Sequence, residues 1–192
     1  MRKIKSQEIL QEVVKNDKLS RLAFQRLDLN EVEERLMQIP VENCLFLDCT
    51  MSEQVTKYLY YNNYVFPRLN VPYSIYPSGL YNKDSLYNGY DYNNAESYYS
   101  TMDKIVYDYY QKKGGSETRD IKETLARALH DHSMYDAKHE FLSTYDERKV
   151  LAIMGGHRLR RDEELYLQTA ELSKILTEKG YLMTSGGGPG AM

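Results

Sequence analysis

Val150-Leu-Ala-Ile-Met-Gly-Gly-His157 and Tyr181-Leu-Met-Thr-Ser-Gly-Gly-Gly-Pro-Gly-Ala-Met192 decide the fold class of this chain. Each is an apolar run of strand length that empties into glycines. Between them, Leu165, Thr169, Leu172 and Leu176 recur at helical spacing, Asp162 is placed to cap the helix start, and Lys179-Gly180 supplies a cation and a glycine at its end. Strand, helix and strand in that order make a right-handed β-α-β crossover with two parallel strands. The unbroken run Val150–Met154 is expected of a central strand covered on both faces. Both glycine turns then fall at the carboxyl ends of adjacent strands, where open α/β sheets hold ligands. The sequence stops inside the second turn, so the expectation is a Rossmann-like parallel-sheet domain of which residues 150–192 are the first β-α-β.

Glycine turns of this kind hold phosphate, because their N–H groups are exposed and glycine tolerates backbone angles closed to other residues. Gly186 to Ala191 fits G-x-G-x-x-A, the dinucleotide fingerprint, but that motif belongs after the first strand of its unit, which here ends in Gly-Gly-His. The Walker A pattern fails, since no Gly-Lys-Ser/Thr follows. Taken together, Met-Gly-Gly-His, Arg-Arg-Asp, the helix, Gly-Tyr-Leu-Met-Thr and Ser-Gly-Gly-Gly-Pro-Gly-Ala-Met resemble the start of the Lonely Guy family, long labelled "possible lysine decarboxylase", in its branch with a long N-terminal extension. That resemblance, confined to residues 150–192, implies a Rossmann-like fold and hydrolysis of the N-glycosidic bond of nucleoside 5'-monophosphates, without metal or redox cofactor. It places nucleotide and phosphate contacts at Gly155, Gly156 and His157 in the first turn and at Gly186, Gly187, Gly188, Pro189 and Gly190 in the second. The family's Pro-Gly-Gly-x-Gly-Thr-x-x-Glu loop, with its catalytic glutamate and accompanying arginine, has no counterpart in the 192 residues. Arg158, Arg160 and Arg161 stand beside the first turn, where they can meet a phosphate or simply solvate a helix start.

The rest of the composition narrows the class. Net charge is −3 at pH 7 and pI about 5.9, so no basic surface is offered to nucleic acid or anionic membrane. No apolar stretch approaches the roughly 20 residues of a membrane span, and charges follow the basic N-terminus where a signal peptide would be apolar, which points to the cytoplasm. Cys44 and Cys49 flank an extended segment that would hold their Cα atoms about 16 Å apart, too far for a disulfide, and read as buried thiols. His130 and His132, two apart on a predicted helix, face different sides and with His139 give no metal site.

Residues 1–145 read as a mixed α/β extension of unassigned role, with a boundary near 145. Helical patterning covers 6–38, where Ile9, Leu10, Val13 and Val14 share a face and Leu36 and Met37 close a second helix. Val41–Thr50 reads as one buried strand, Ser52 as the cap of a helix over 53–62, and Tyr64–Phe66 as a further strand. Residues 67–94, with Pro67, Pro72, Pro77, Gly79 and Gly89, read as loop and turns. Helices are predicted over 97–112 and 119–135, separated by Gly114-Gly115-Ser116, with a polar connector at 141–148. Of 19 tyrosines, 15 lie between Tyr58 and Tyr110; without interleaved basic residues they suit a half-buried inter-domain or subunit surface better than single-stranded nucleic acid. Two further classes stay open: a non-catalytic nucleotide-sensing or protein-interaction module, self-association included, and, less favoured, an NAD-dependent oxidoreductase.

Overall fold

The computed structural model describes residues 1–188, 190 and 191. It is α/β, and the chain divides into two compact units, Met1–Lys138 and His139–Met192.

The first unit begins as a stack of parallel coils. Strand β1 (Arg2–Ile4) leads to helix α1 (Gln7–Val13), whose N-cap Ser6 accepts from the Ile9 N–H. Then come β2 (Leu19–Ser20), β3 (Leu22–Gln25), α2 (Glu33–Gln38), β4 (Val41–Glu42), β5 (Leu45–Leu47), α3 (Glu53–Tyr60) and β6 (Tyr64–Phe66). A four-stranded sheet runs β1-β3-β5-β6, every pair parallel, while β2 and β4 form a second, two-stranded parallel sheet. Parallel neighbours need a crossover of a dozen residues or more, and each step here supplies one: Arg2 lies opposite Leu22, Ala23 opposite Leu45, and Leu45 opposite Tyr64.

The register puts Ile4, Phe24, Phe46 and Val65 side by side across the sheet, and the Phe24 and Phe46 rings stack with centroids 4.8 Å apart. On this face Leu10 of α1, Leu36 of α2, and Val55 and Leu59 of α3 complete an apolar core. The other face presents Ala23, Leu45 and Leu47 to Leu69, Val71, Ile75 and Tyr76 of the long loop and to Ala126. That loop runs through α4 (Lys83–Tyr87) and a 3-10 turn into α5 (Met102–Lys112), and α6 (Ile121–Leu142) follows. One side chain stitches loop to sheet: Gln25 Oε1 accepts the Tyr76 N–H at 3.2 Å, while Tyr76 Oη donates to Asp136.

Several expectations are corrected here. Residues 6–38 are not only helical, since they contain β2 and β3. The latter is flanked by Arg21 and Arg26 with φ near +56°, a left-handed conformation that arginine does not advertise. The single strand expected over Val41–Thr50 is interrupted by Asn43 (φ +53°) and Asp48 (φ +55°), which turn the chain so that their N–H groups reach Asn62 O and Phe66 O. Helix α6 runs to Leu142 instead of stopping at 135, because no glycine or proline interrupts it before Ser143 and Thr144 fold their hydroxyls back onto Glu140 and Phe141 carbonyls. The tyrosines do not share one environment: Tyr76 is buried, Tyr73 and Tyr109 pack against the second core, and Tyr60, Tyr61 and Tyr92 are exposed. Cys44 is buried and Cys49 half-buried; neither is in a disulfide, and burial pushes both thiols up.

The second unit contains β7 (Val150–Ile153), α7 (Glu164–Glu178) and β8 (Leu182–Ser185), the strands parallel and in register from Val150↔Leu182 to Ile153↔Ser185. Contrary to the expectation for a central strand, β7 is only half-buried and, among the described residues, pairs with β8 alone. Leu165, Leu167 and Leu172 of α7 are each more than half exposed. Asp162 does not cap α7. Its carboxylate takes both Arg160 donors instead, at 3.0 and 2.8 Å, and Glu163 occupies the cap position without a capping bond.

A two-stranded sheet with open edges holds its amides less firmly than a four-stranded one between two cores. Hydrogen exchange in a confirmed monomer should therefore show Val150–Ile153 exchanging far faster than Leu45–Leu47. Equal protection would show that the second unit is stabilised by something other than the contacts described.

Candidate functional site

The in-register pair Ile153↔Ser185 fixes where the two glycine turns can be. Both leave the same end of the two-stranded sheet, one after β7 and one after β8, so they meet. Ala191 N–H donates to Gly156 O at 3.1 Å, the carbonyl that also accepts from Leu159 N–H. Gly190, at φ +82°, lies so close that a Cβ built there would fall 2.2 Å from Gly156 O and 3.0 Å from His157 O. Gly156 (φ +75°) is also crowded, with 3.1 Å between a Cβ and both Ala191 Cβ and Leu159 Cδ1. These two glycines make the contact between the turns.

Gly155 and Gly187 are different. Their φ angles of +89° and +69° again suit glycine, but a Cβ on either would meet nothing within 4 Å. Both residues are exposed, and the space where a side chain would stand is open. Ser185 Oγ accepts the Gly187 N–H at 3.3 Å, holding the start of the second turn in shape. Gly186 and Gly188 are exposed; Pro189 lies outside the described residues.

His157 is exposed at the first turn, as are Arg158 and Arg161. Of the three arginines beside that turn, Arg160 is committed to Asp162. Asp162, Glu163 and Glu164 crowd the start of α7, so that helix terminus is a poor place for an anion, and the open glycine backbone is a better one. Of the residues expected at the site, Gly155, Gly156, His157, Gly187 and Gly190 are thus gathered at one end of the sheet. Ser185 was not among them; its signal was only that a hydroxyl precedes the glycines.

His130 and His132 are both drawn into pairs within the first unit. His130 Nε2 lies 2.8 Å from Tyr81 Oη, and burial holds its pKa below the ordinary histidine value despite the neighbouring Asp131. His132 Nε2 lies 3.6 Å from Asp136. Among the described residues no group of three or more His, Cys, Asp or Glu side chains is gathered as a metal ion requires, and no helix is long and apolar enough to cross a membrane.

No family model, curated protein or solved structure matches this chain.

The two kinds of glycine should respond differently to substitution. Gly190→Ala forces a methyl into the Gly156 carbonyl and should destabilise the second unit by about 1–3 kcal/mol. Gly187→Asn, a residue that tolerates positive φ, should cost well under half of that. Limited proteolysis or hydrogen exchange of the second unit checks both; equal effects would mean that the turns are not docked as described.

Proposed function

We propose that the chain binds a nucleoside 5'-monophosphate of the AMP type at the paired glycine turns, as the opening segment of a Lonely Guy-type nucleotide site. One observation carries the reading: two glycine turns at the carboxyl end of adjacent parallel strands, docked through Gly156 and Gly190, with Gly155 and Gly187 left open. Exposed backbone N–H groups in a glycine turn attract an anion such as a phosphate, in competition here with the Ser185 Oγ that holds the Gly187 N–H. His157, Arg158 and Arg161 are exposed next to it and add positive charge or hydrogen-bond donors toward the same anion. The order and spacing of residues 150–192 supply the nucleotide half of the reading.

The reaction that the resemblance to the Lonely Guy family implies is hydrolysis of the N-glycosidic bond, giving free base and ribose 5-phosphate. Its oxocarbenium-like transition state needs a carboxylate near the anomeric carbon and donors around the phosphate. The glutamate loop that would provide them is not among these 192 residues. The activity proposed for these residues is therefore binding.

Calorimetric titration of the 192-residue chain with AMP should show saturable binding that ribose 5-phosphate competes for. Gly187→Asn, which leaves the chain folded at only a small cost in stability, should weaken it by about tenfold or more as its side chain enters the open space. Adenine release should not exceed that of a heat-inactivated control. Wild-type AMP binding in Gly187→Asn, or none in the unsubstituted 192-residue chain, would refute the assignment.

A further inference from the structure

The first unit contains a cavity of about 610 Å³ walled by residues 73–86, by α5 and by α6. Five tyrosines line it, Tyr73 and Tyr81 from the loop and Tyr107, Tyr109 and Tyr110 from α5, with aliphatic side chains between them. The rings brace one another across the segments. Tyr73 meets Tyr109 near-perpendicular with centroids 6.4 Å apart, and Tyr81 stacks on the His130 ring of α6 at 5.7 Å. The same rings already draw the chain's own cations. Lys104 Nζ stands 5.8 Å from the Tyr107 centroid, Lys113 Nζ 5.7 Å from Tyr109, and the Arg127 guanidinium 4.7 Å from Tyr110. Among the described residues no such cation lies over Tyr73 or Tyr81.

The charges of the lining do not cancel. Glu123 is buried and offset by Arg127, whose Nε donates to its Oε1 at 2.7 Å. The Tyr73 and Tyr109 phenols lie against the same carboxylate: burial first, then Glu123, raises both, Tyr109 up to about 12. Both phenols therefore stay protonated, and the carboxylate is taken up within the wall. Asp103 and Asp131 have no cation of their own. Asp103 Oδ2 accepts from Tyr98 Oη at 2.7 Å, a neutral donor. Asp131, exposed to solvent, faces His130 Nδ1 at 3.8 Å, and burial holds that imidazole below its ordinary pKa and so neutral at pH 7. With Arg127 cancelling Glu123, Asp103 and Asp131 leave the lining with uncompensated negative charge.

A small-molecule site is characteristically an apolar cavity of this size with a few polar groups. Here the walls are aromatic and the surplus charge is negative, which is complementary to a cation with an apolar surface: the quadrupole of each ring attracts it, and the carboxylates balance it. A primary ammonium brings three N–H donors to satisfy, and Glu123 is already engaged by Arg127 and two phenols. A quaternary ammonium has no N–H and needs only ring faces and nearby negative charge. We propose that this cavity binds a small organic cation of the quaternary ammonium class, its methyl groups against the tyrosine rings and its charge balanced by Asp103 and Asp131. All of the lining lies in the first unit, so the proposal does not rest on the reading given for the glycine turns.

The test uses the 192-residue chain, titrated with choline and followed by saturation-transfer NMR of the ligand's methyl signal. The control is 3,3-dimethyl-1-butanol, the uncharged isostere in which carbon replaces the nitrogen. Choline should bind saturably and at least about fivefold more tightly than the isostere, and its affinity should fall as ionic strength rises. Val106→Phe fills the cavity from α5 and should abolish binding while circular dichroism stays unchanged. Removing both acids, Asp103→Asn with Asp131→Asn, should weaken choline at least about threefold and leave the isostere unaffected. If Val106→Phe does not fold, this second variant decides. No saturable binding of choline, equal binding of the isostere, wild-type binding in a folded Val106→Phe variant, or a choline affinity unchanged by loss of both acids would overturn the proposal.

Discussion

The row Ile4–Phe24–Phe46–Val65 is the constraint on which the first unit depends. Ile4, Phe24 and Phe46 are fully buried, each worth about 1.5–3 kcal/mol of burial, and they come together only in one register. A slip of one residue would turn the row to the opposite face, where Ala23, Leu45 and Leu47 meet the loop. Fixing the register on one face thus fixes what the other face can receive. The helices α1–α3 take the first face; the tyrosine-rich loop and α6 take the second. The cavity with its ion pair lies in this second layer, between α5, α6 and the loop. There long side chains from three separate segments have to fit together, whereas the first core is built from register-aligned repeats.

In the second unit a single parallel pairing plays the corresponding part. Because Ile153 and Ser185 are partners, both turns leave the sheet at one end, and the missing Cβ of Gly190 lets one turn lie on the other. The glycine-rich run therefore serves two physical ends. Gly156 and Gly190 permit backbone to approach backbone, and Gly155 and Gly187 leave positive-φ backbone open to whatever binds.

Much of this was legible from residue types. The β-α-β of residues 150–192, the Ser52 cap, the Tyr64–Phe66 strand and the glycine stop after α5 all follow from local signals of periodicity, capping and chain reversal. What escaped was decided by non-local pairing. Strands of two to four residues carry too few alternations to announce themselves, and arginines at positive φ, as at 21 and 26, have no compositional mark. The near-22-residue recurrence linking Arg21 to Asn43 and Arg26 to Asp48 lies in backbone conformation and register, not in matching side chains. Asp162 was a reasonable cap by type, but Arg160 two residues away offered its carboxylate a bidentate partner. The Glu123–Arg127 pair has the i,i+4 spacing of any solvated helix pair. Only the tertiary structure shows that its Glu123 end is buried against Tyr73 and Tyr109.

The account of the glycine turns is tested most directly by glycine-selective ¹⁵N labelling of the chain, followed by titration with AMP. Eleven glycines give a spectrum simple enough to assign completely. Binding at the paired turns predicts that the Gly155 and Gly187 amides move progressively and saturably, while Gly79, Gly89 and Gly115 in the first unit stay in place. Shifts confined to the first unit, or no shifts at saturating AMP, would contradict it.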